Sequence, residues 1–392
     1  MAIRGFILHP TYRIEAGRAV VHLYGRLESG ESFLVRDTRL VPHFFIRAVD
    51  SEAARAHGAA RQSPIDLRTM RGEPVVRVEV TAPPDAPPVR DALRGRGIPT
   101  YEADVRFATR YLIDHGLRGT VSIEGVAGGH TASGGGDPAR APIGVMRVFE
   151  NPDLSEAAWE PGPRDLRVLS LDLETDPRGE RVFSAALSGD GVDEVLLALP
   201  EGRVVTALSG APVEGRVVAC GDEKDLLRRL FARLREIDFD ILTGWNVIDF
   251  DLDVLVAAAR RLGLPFEIGR APGAVRVVRD TSFWGRSRAE ITGRVVLDGI
   301  DLLKSAFVKL QDYRLETAAR EIVGEGKVDL DERGAAAPEG GASGPGRAEA
   351  IERAFRLDLP RFVRYNLADA RLVLKILEKA RLLELAVRRS LL

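Results

Sequence analysis

Short apolar runs separated by Gly, Asp and Ser dominate the first third of the chain. GFILHP, AVVHLYGRL, SFLVRD and HFFIRAV are rich in β-branched and aromatic residues and read as strands. PVVRVEVTA alternates as a half-buried strand does, and VRDALRGRG after a Pro-rich turn predicts a short helix. From Val126 to Pro142 the sequence is Gly-rich and poor in apolar residues, which predicts a linker or long loop.

A different pattern begins near Arg167. RVLSLDLET, VFSAALSG and EVLLALP predict three strands of a meander. Asp222 is placed to cap a helix through DEKDLLRRLFARLREI, where Leu226, Leu227, Leu230, Phe231 and Leu234 recur at helical spacing. ILTGWNV reads as a strand, and FDLDVLVAAARRLG as a helix closed by Gly263. After RVVLDGIDLL come a helical stretch around LETAAREIVG and a second low-complexity loop, DERGAAAPEGGASGPGRAEA. A long helix from about Pro360 to Arg389 completes the pattern. Strands first, then strands alternating with helices, point to an α/β domain with a mixed sheet behind a strand-rich α+β region.

Composition narrows the chemistry. The 392 residues are 45% apolar, enough for two or three domains with a sizeable core. Lysine plus arginine number 56 against 58 acids, so net charge does not announce a nucleic-acid binder. A single cysteine, Cys220, excludes an internal disulfide framework and any cysteine-rich zinc site. The N-terminus has no signal-peptide pattern, and no apolar run reaches the ~18–20 residues that span a bilayer, so a cytoplasmic location and no membrane partner are expected. None of the six histidines lies beyond position 130. Chemistry in the last two thirds must therefore run without imidazole, which removes Ser–His–Asp, Cys–His and HExxH mechanisms there.

Acids take the place of histidine. In LSLDLETD the period of two sends Leu169, Leu171 and Leu173 to one face and Ser170, Asp172 and Glu174 to the other. Adjacent acids repel unless a cation lies between them, and hard divalent cations take oxygen ligands. GWNVIDFDLDVL adds Asp249, Asp251 and Asp253 at a strand-to-helix junction, where acids ordinarily serve as caps; Asp249 is expected to be one. YNLADARLVLKIL puts Tyr365 and Asp369 four apart on one helix face. Taken singly, each pattern is ordinary: a wet strand face, a helix cap, a surface acid. GEGK at 324–327 is no phosphate loop, because Glu321 and Val328 stand where glycine and Ser or Thr are needed.

In order along the chain, however, Asp172-Leu173-Glu174, Asn246 through Phe250-Asp251, and Tyr365 through Asp369 resemble the three exonuclease motifs of the family-B DNA polymerases. YEADVRFATRYL, GRVVLDGIDLLKSAF and YRLETAAREIVGEGK are similar to the bacterial DNA polymerase II branch of that family. The resemblance implies a ribonuclease H-like 3′→5′ exonuclease domain over residues 151–392, behind an N-terminal domain over 1–150. It implies two Mg²⁺ (or Mn²⁺) ions. Asp172 would bridge them, Glu174 and Asp369 would hold the ion that activates water, and Asp251 would serve the second, directly or through water. Tyr365 would orient the attacking water. Related exonucleases place histidine five residues before the last aspartate; Arg364 stands there, so the tyrosine variant fits. Asn246 and Phe250 are candidates to touch the terminal nucleotide, and Lys304 a phosphate.

The implied partners are single-stranded or frayed primer-terminus DNA and a polymerase domain. The sequence ends at Leu392, just after the third motif's helix, with no second carboxylate cluster of the palm kind. The expectation is a polymerase fragment, or a product without palm, fingers and thumb, that proofreads and does not synthesise. Two alternatives stay open: a catalytically idle nucleic-acid-binding module, and an exonuclease acting on RNA.

Overall fold

The computed structural model describes residues 2–129, 144–200, 215–279, 287–326 and 345–389. The described chain divides into two compact units, the first ending at Glu160 and the second running on from Pro161.

The first unit holds β1 (Ile3–Glu15), β2 (Arg18–Leu27), β3 (Ser32–Asp37), β4 (His43–Arg47), α1 (Ser51–Arg55), β5 (Arg61–Arg68), β6 (Pro74–Glu79) and α2 (Ala86–Arg94). It continues with β7 (Thr100–Tyr101), α3 (Phe107–Asp114), β8 (Thr120–Glu124), β9 (Ala127–Gly129), β10 (Arg147–Glu150) and β11 (Asp153–Ser155). One sheet runs β11-β8-β1-β2-β3-β10-β9 and the other β5-β6-β4-β7. Phe107 and Tyr111 of α3 pack on the larger sheet with Leu23, Phe33 and Phe149. The strand-rich reading holds. The Gly-rich linker needs correction at its start, where Ala127–Gly129 pairs with β10; positions 130–142 of it lie outside the described residues.

The second unit contains β12 (Val168–Thr175), β13 (Val182–Gly189), β14 (Val192–Ala198), β15 (Arg216–Cys220), α4 (Glu223–Ile237), β16 (Ile241–Gly244) and α5 (Asp253–Leu262). An antiparallel pair, β17 (Arg276–Val278) with β18 (Arg288–Glu290), precedes β19 (Val295–Asp298) and the helices α6 (Gly299–Ser305) and α7 (Leu315–Ala318). The last three helices are α8 (Pro345–Leu357), α9 (Leu359–Lys379) and α10 (Leu382–Arg389). The sheet order is β15-β14-β13-β12-β16-β19. β12, β13 and β14 pair antiparallel, whereas β12–β16, β16–β19 and β14–β15 pair parallel, so the sheet is mixed as expected.

Helices cover both faces. Leu169, Leu171 and Leu173 meet Leu226, Leu230 and Leu255 of α4 and α5 on one side. Phe183, Ala186 and Leu197 meet Phe355, Phe362 and Leu367 of α8 and α9 on the other. Asp222 accepts from the Asp225 N–H at 2.7 Å as the N-cap of α4, and Gly263 ends α5 at φ 64°. The starts of β12 and β16 are tied by buried Asp240, which accepts from the Arg167 N–H at 2.9 Å and pairs with buried Arg270 at 2.7 Å.

Three expectations are corrected. The long C-terminal helix is two, broken where Arg381 takes φ 54°. The tail of the second low-complexity loop is the helix α8, while residues 327–344 lie outside the described residues. The helix of the second motif begins with a π-helical turn, Ile248–Leu252.

Gly244 ends β16 beside the motif strand, and a Cβ there would stand 2.5 Å from the Leu171 carbonyl oxygen. Gly244→Ala must push β16 from β12, so urea denaturation should show a loss of about 1–3 kcal/mol. Unchanged stability would mean that the two strands part without cost.

Candidate active site

Two elements converge on the α9 side of the sheet. β12 presents Asp172 and Glu174, and α9 presents Tyr365 and Asp369, one helical turn apart. Carboxylate oxygens of Asp172, Glu174 and Asp369 all lie within 4.8 Å of one another. Glu174 and Asp369 are buried and Asp172 half-buried. The acid on α9 is therefore not a surface acid of an amphipathic helix: α9 lies between solvent and sheet with Tyr365 and Asp369 each 3% exposed.

Asp251 reaches the same strand by another route. The π-helical turn aims it inward, and its Oδ1 accepts from the Leu173 N–H at 2.9 Å. It is 2% exposed, whereas Asp249 is exposed and Asp253 pairs with Arg279 at 2.6 Å. Burial ranks the three acids of the second motif, which composition does not. The capping role expected of Asp249 is corrected. The turn's N-cap is Val247, without a side-chain bond, and the Ile248 N–H instead donates to Asp298 at 3.4 Å.

Burial pushes the Asp251 carboxyl well above the usual carboxylate range, and the neighbouring Asp172 charge pushes it further; the Leu173 N–H partly opposes both. Such a set of acids fits a cation. One oxygen from each of three carboxylates lies within 4.8 Å of the others, and the fourth acid is bonded to the backbone of the strand that carries two of them. The structure thus supplies a donor set of the hard-cation kind, made wholly of carboxylates.

Asn246 takes φ 60° and accepts from the Phe250 N–H through its carbonyl oxygen at 3.0 Å. Phe250 is 38% exposed, so it is not a core residue. Lys304 is exposed on α6, its ammonium 5.1 Å from the centre of the Tyr313 ring; no contact among the described residues joins it to the carboxylates. The basic side chains of α9 and α10 are largely spoken for, Arg371 by Asp193, Lys375 by Glu325 and Arg388 by Glu384.

Three polar residues were not singled out in the sequence. Asn366 is fully buried and donates to Asp172, and Ser184 donates to Asn366. Asp298 caps α6 by accepting from the N–H groups of Ile300 and Asp301. An Asp opening the GIDLL helix was the signal for the cap; Asn366 and Ser184 left none.

A family model described as DNA polymerase family B, exonuclease domain, matches residues 98–318, more than half of the chain. The chain belongs to DNA polymerase family B. The matched span takes in Asp172, Glu174, Asn246, Phe250, Asp251 and Lys304, and ends before Tyr365 and Asp369. DNA polymerase II of Escherichia coli (strain K12) is 31% identical over 84% of this chain and 37% of its own length. The DNA polymerase delta catalytic subunit of Caenorhabditis elegans is 25% identical over 92% of this chain and 38% of its own. The structure of the family B DNA polymerase from the hyperthermophilic archaeon Pyrobaculum calidifontis aligns with TM-score 0.71 at 23% identity, over 99% of this chain and 46% of that one. The chain thus spans less than half the length of these relatives. Their family's exonuclease domain is ribonuclease H-like, as the mixed sheet flanked by helices is here. No described helix is long and apolar enough to cross a membrane.

Asp298 makes the site's electrostatics testable. Its carboxyl is pushed from 3.8 up to about 6, chiefly by burial. Between those values the folded protein holds a proton that the unfolded chain has lost, so this group's contribution to stability falls as pH rises from about 4 to about 6. Asp298→Asn keeps a capping acceptor and cannot ionise. Relative to wild type, the variant should gain up to roughly 3 kcal/mol between pH 4 and 6.5 in denaturant titrations. Parallel pH–stability curves for the two proteins would exclude the shift.

Proposed function

We propose that this chain is the 3′→5′ exodeoxyribonuclease portion of a family-B DNA polymerase and that it hydrolyses the 3′-terminal phosphodiester of DNA. Convergence of the Asp172, Glu174 and Asp369 carboxylates carries the reading. Family membership supports metal dependence for this domain, and the all-oxygen donor set favours Mg²⁺ or Mn²⁺. Two bound ions would supply an acidified water and neutralise charge on the attacking and leaving oxygens at phosphorus.

The chain's own residues do the rest. Asp172 would be shared by the two ions, Glu174 and Asp369 would hold the one that supplies the attacking water, and Asp251 would serve the other. Tyr365, buried one turn before Asp369, holds the attacking water in line with the bond that breaks. Water oxygen joins phosphorus as the bond to the 3′-oxygen opens, and the terminal nucleotide leaves. Exposed Phe250 offers a ring for a base to stack on, and Asn246 beside it a polar contact to the same nucleotide. Lys304 is assigned to a backbone phosphate. Residues 151–392 are taken as the nuclease domain and 1–150 as the N-terminal domain. The partners are then single-stranded or frayed primer ends and the polymerase domain of the parent protein, in the cytoplasm with the DNA. Proofreading is the role that follows.

Incubation with 3′-labelled single-stranded DNA tests the reaction. Label should be released with Mg²⁺ and retained with EDTA, and Asp172→Ala should release none while keeping its fold by circular dichroism. Full activity in chelator would end the metal reading, and a turning-over Asp172→Ala would remove Asp172 from the centre.

The second motif gives a sharper comparison. Asp251→Ala should cut the rate by about 100-fold or more, as loss of an ion-holding carboxylate does. Asp249→Ala, exposed and without a capping bond, should change rate and melting temperature little. The opposite ranking in the same assay would overturn the register of the second motif.

A further inference from the structure

We propose that Asn366 is a positioning residue for Asp172, itself oriented by Ser184; this rests on the proposed reading of Asp172 as a cation-holding carboxylate. Asn366 Nδ2 donates to Asp172 Oδ2 at 2.7 Å and to the Asp172 carbonyl oxygen at 3.1 Å. One amide nitrogen thus grips both the side chain and the backbone of the same residue. The carboxylate plane cannot turn without breaking one of the two bonds.

The amide has only one workable orientation. Both Asp172 atoms it meets are acceptors, so the NH₂ group must face them. Asn366 Oδ1 is then left toward Ser184, whose hydroxyl donates to it at 2.7 Å. Ser184 lies directly across from Glu174 in the β12–β13 ladder, so the relay begins on the neighbouring strand of the same sheet face. The order is Ser184 on β13, Asn366 on α9, Asp172 on β12, and Asn366 and Ser184 are fully buried.

A purely structural role explains this poorly. α9 is already docked by Phe362, Val363, Leu367 and Ala370, so the helix does not need an amide to hold it. An apolar side chain at 366 would fill buried space without requiring three partners. What the amide adds is a fixed donor on one carboxylate oxygen. A carboxylate has about four acceptor positions. With one occupied, the remainder point in set directions, and a ligand to two ions needs that. Asn366 therefore selects the rotamer in which Asp172 meets Glu174 and Asp369.

The test compares wild type, Asp172→Ala, Asn366→Ala, Ser184→Ala and the Asn366→Ala/Ser184→Ala double variant. The readouts are Mn²⁺ affinity by calorimetry without DNA, and kcat and KM on a single-stranded oligonucleotide. Asn366→Ala should weaken Mn²⁺ binding and lower kcat by about 10–100-fold each, the range for partners that orient metal ligands, with KM changed by less than about 3-fold. Ser184→Ala should show a smaller loss of both, roughly 3–10-fold, and no further loss when Asn366 is already alanine. Wild-type Mn²⁺ affinity and kcat in Asn366→Ala would overturn the proposal and leave the residue structural. If Asn366→Ala does not fold, Ser184→Ala decides on the same readouts, unchanged affinity and kcat being the refutation. Wild type that binds no Mn²⁺, or an active Asp172→Ala, would instead sink the reading of the site, and this proposal with it.

Discussion

The carboxylates of Asp172, Glu174 and Asp369 are drawn together between β12 and α9, with Asp251 bonded to the backbone of the same strand, and each is better solvated in water. Their mutual repulsion is the constraint around which the second unit is organised. The leucines of β12 bury the strand's other face so that Asp172 and Glu174 have one direction in which to point. The aromatic cluster Phe183, Phe355 and Phe362 fixes α9 over that face, which delivers Asp369. The Leu173 N–H draws in Asp251 from the second motif. Apolar packing thus carries the cost of an acidic concentration that a bound cation or proton uptake relieves.

Polar groups near the site are arranged so that none of this is loose. Asn366 donates to Asp172 and accepts from Ser184, and Asp298 joins the start of the π-helical turn to the start of α6. The wider turn matters because it puts Asp251 inside while Phe250 stays exposed beside it. Neighbouring residues of one turn thereby face opposite environments, one the interior and one solvent.

Much of this was legible in the chain. Alternation in LSLDLET assigned residues 169–174 of β12 to their faces, because a period of two leaves no freedom once leucines must be buried. Tyr365 and Asp369 at helical spacing implied one face of α9. Helix caps at Asp222 and Gly263 were visible because those residue types have few other uses at such boundaries. What was hidden depends on partners distant in sequence. Asn366 reads as an ordinary polar helix residue until Asp172, far upstream, is placed beside it. The π-helical turn leaves no compositional mark, since it adds a residue to a turn without changing which residues are apolar. The break at Arg381 was missed because the apolar periodicity resumes at Leu382 and Leu383 after it. The helix α8 was concealed by the Gly- and Pro-rich segment that leads into it.

The central claim is that these acids exist to hold cations, and anomalous scattering from crystals grown with Mn²⁺ and a deoxynucleoside monophosphate tests it most directly. The account predicts a strong peak in contact with Asp172, Glu174 and Asp369, and a second on the Asp251 side of Asp172. Crystals that show no peak among those carboxylates, or Mn²⁺ bound only elsewhere, would contradict it.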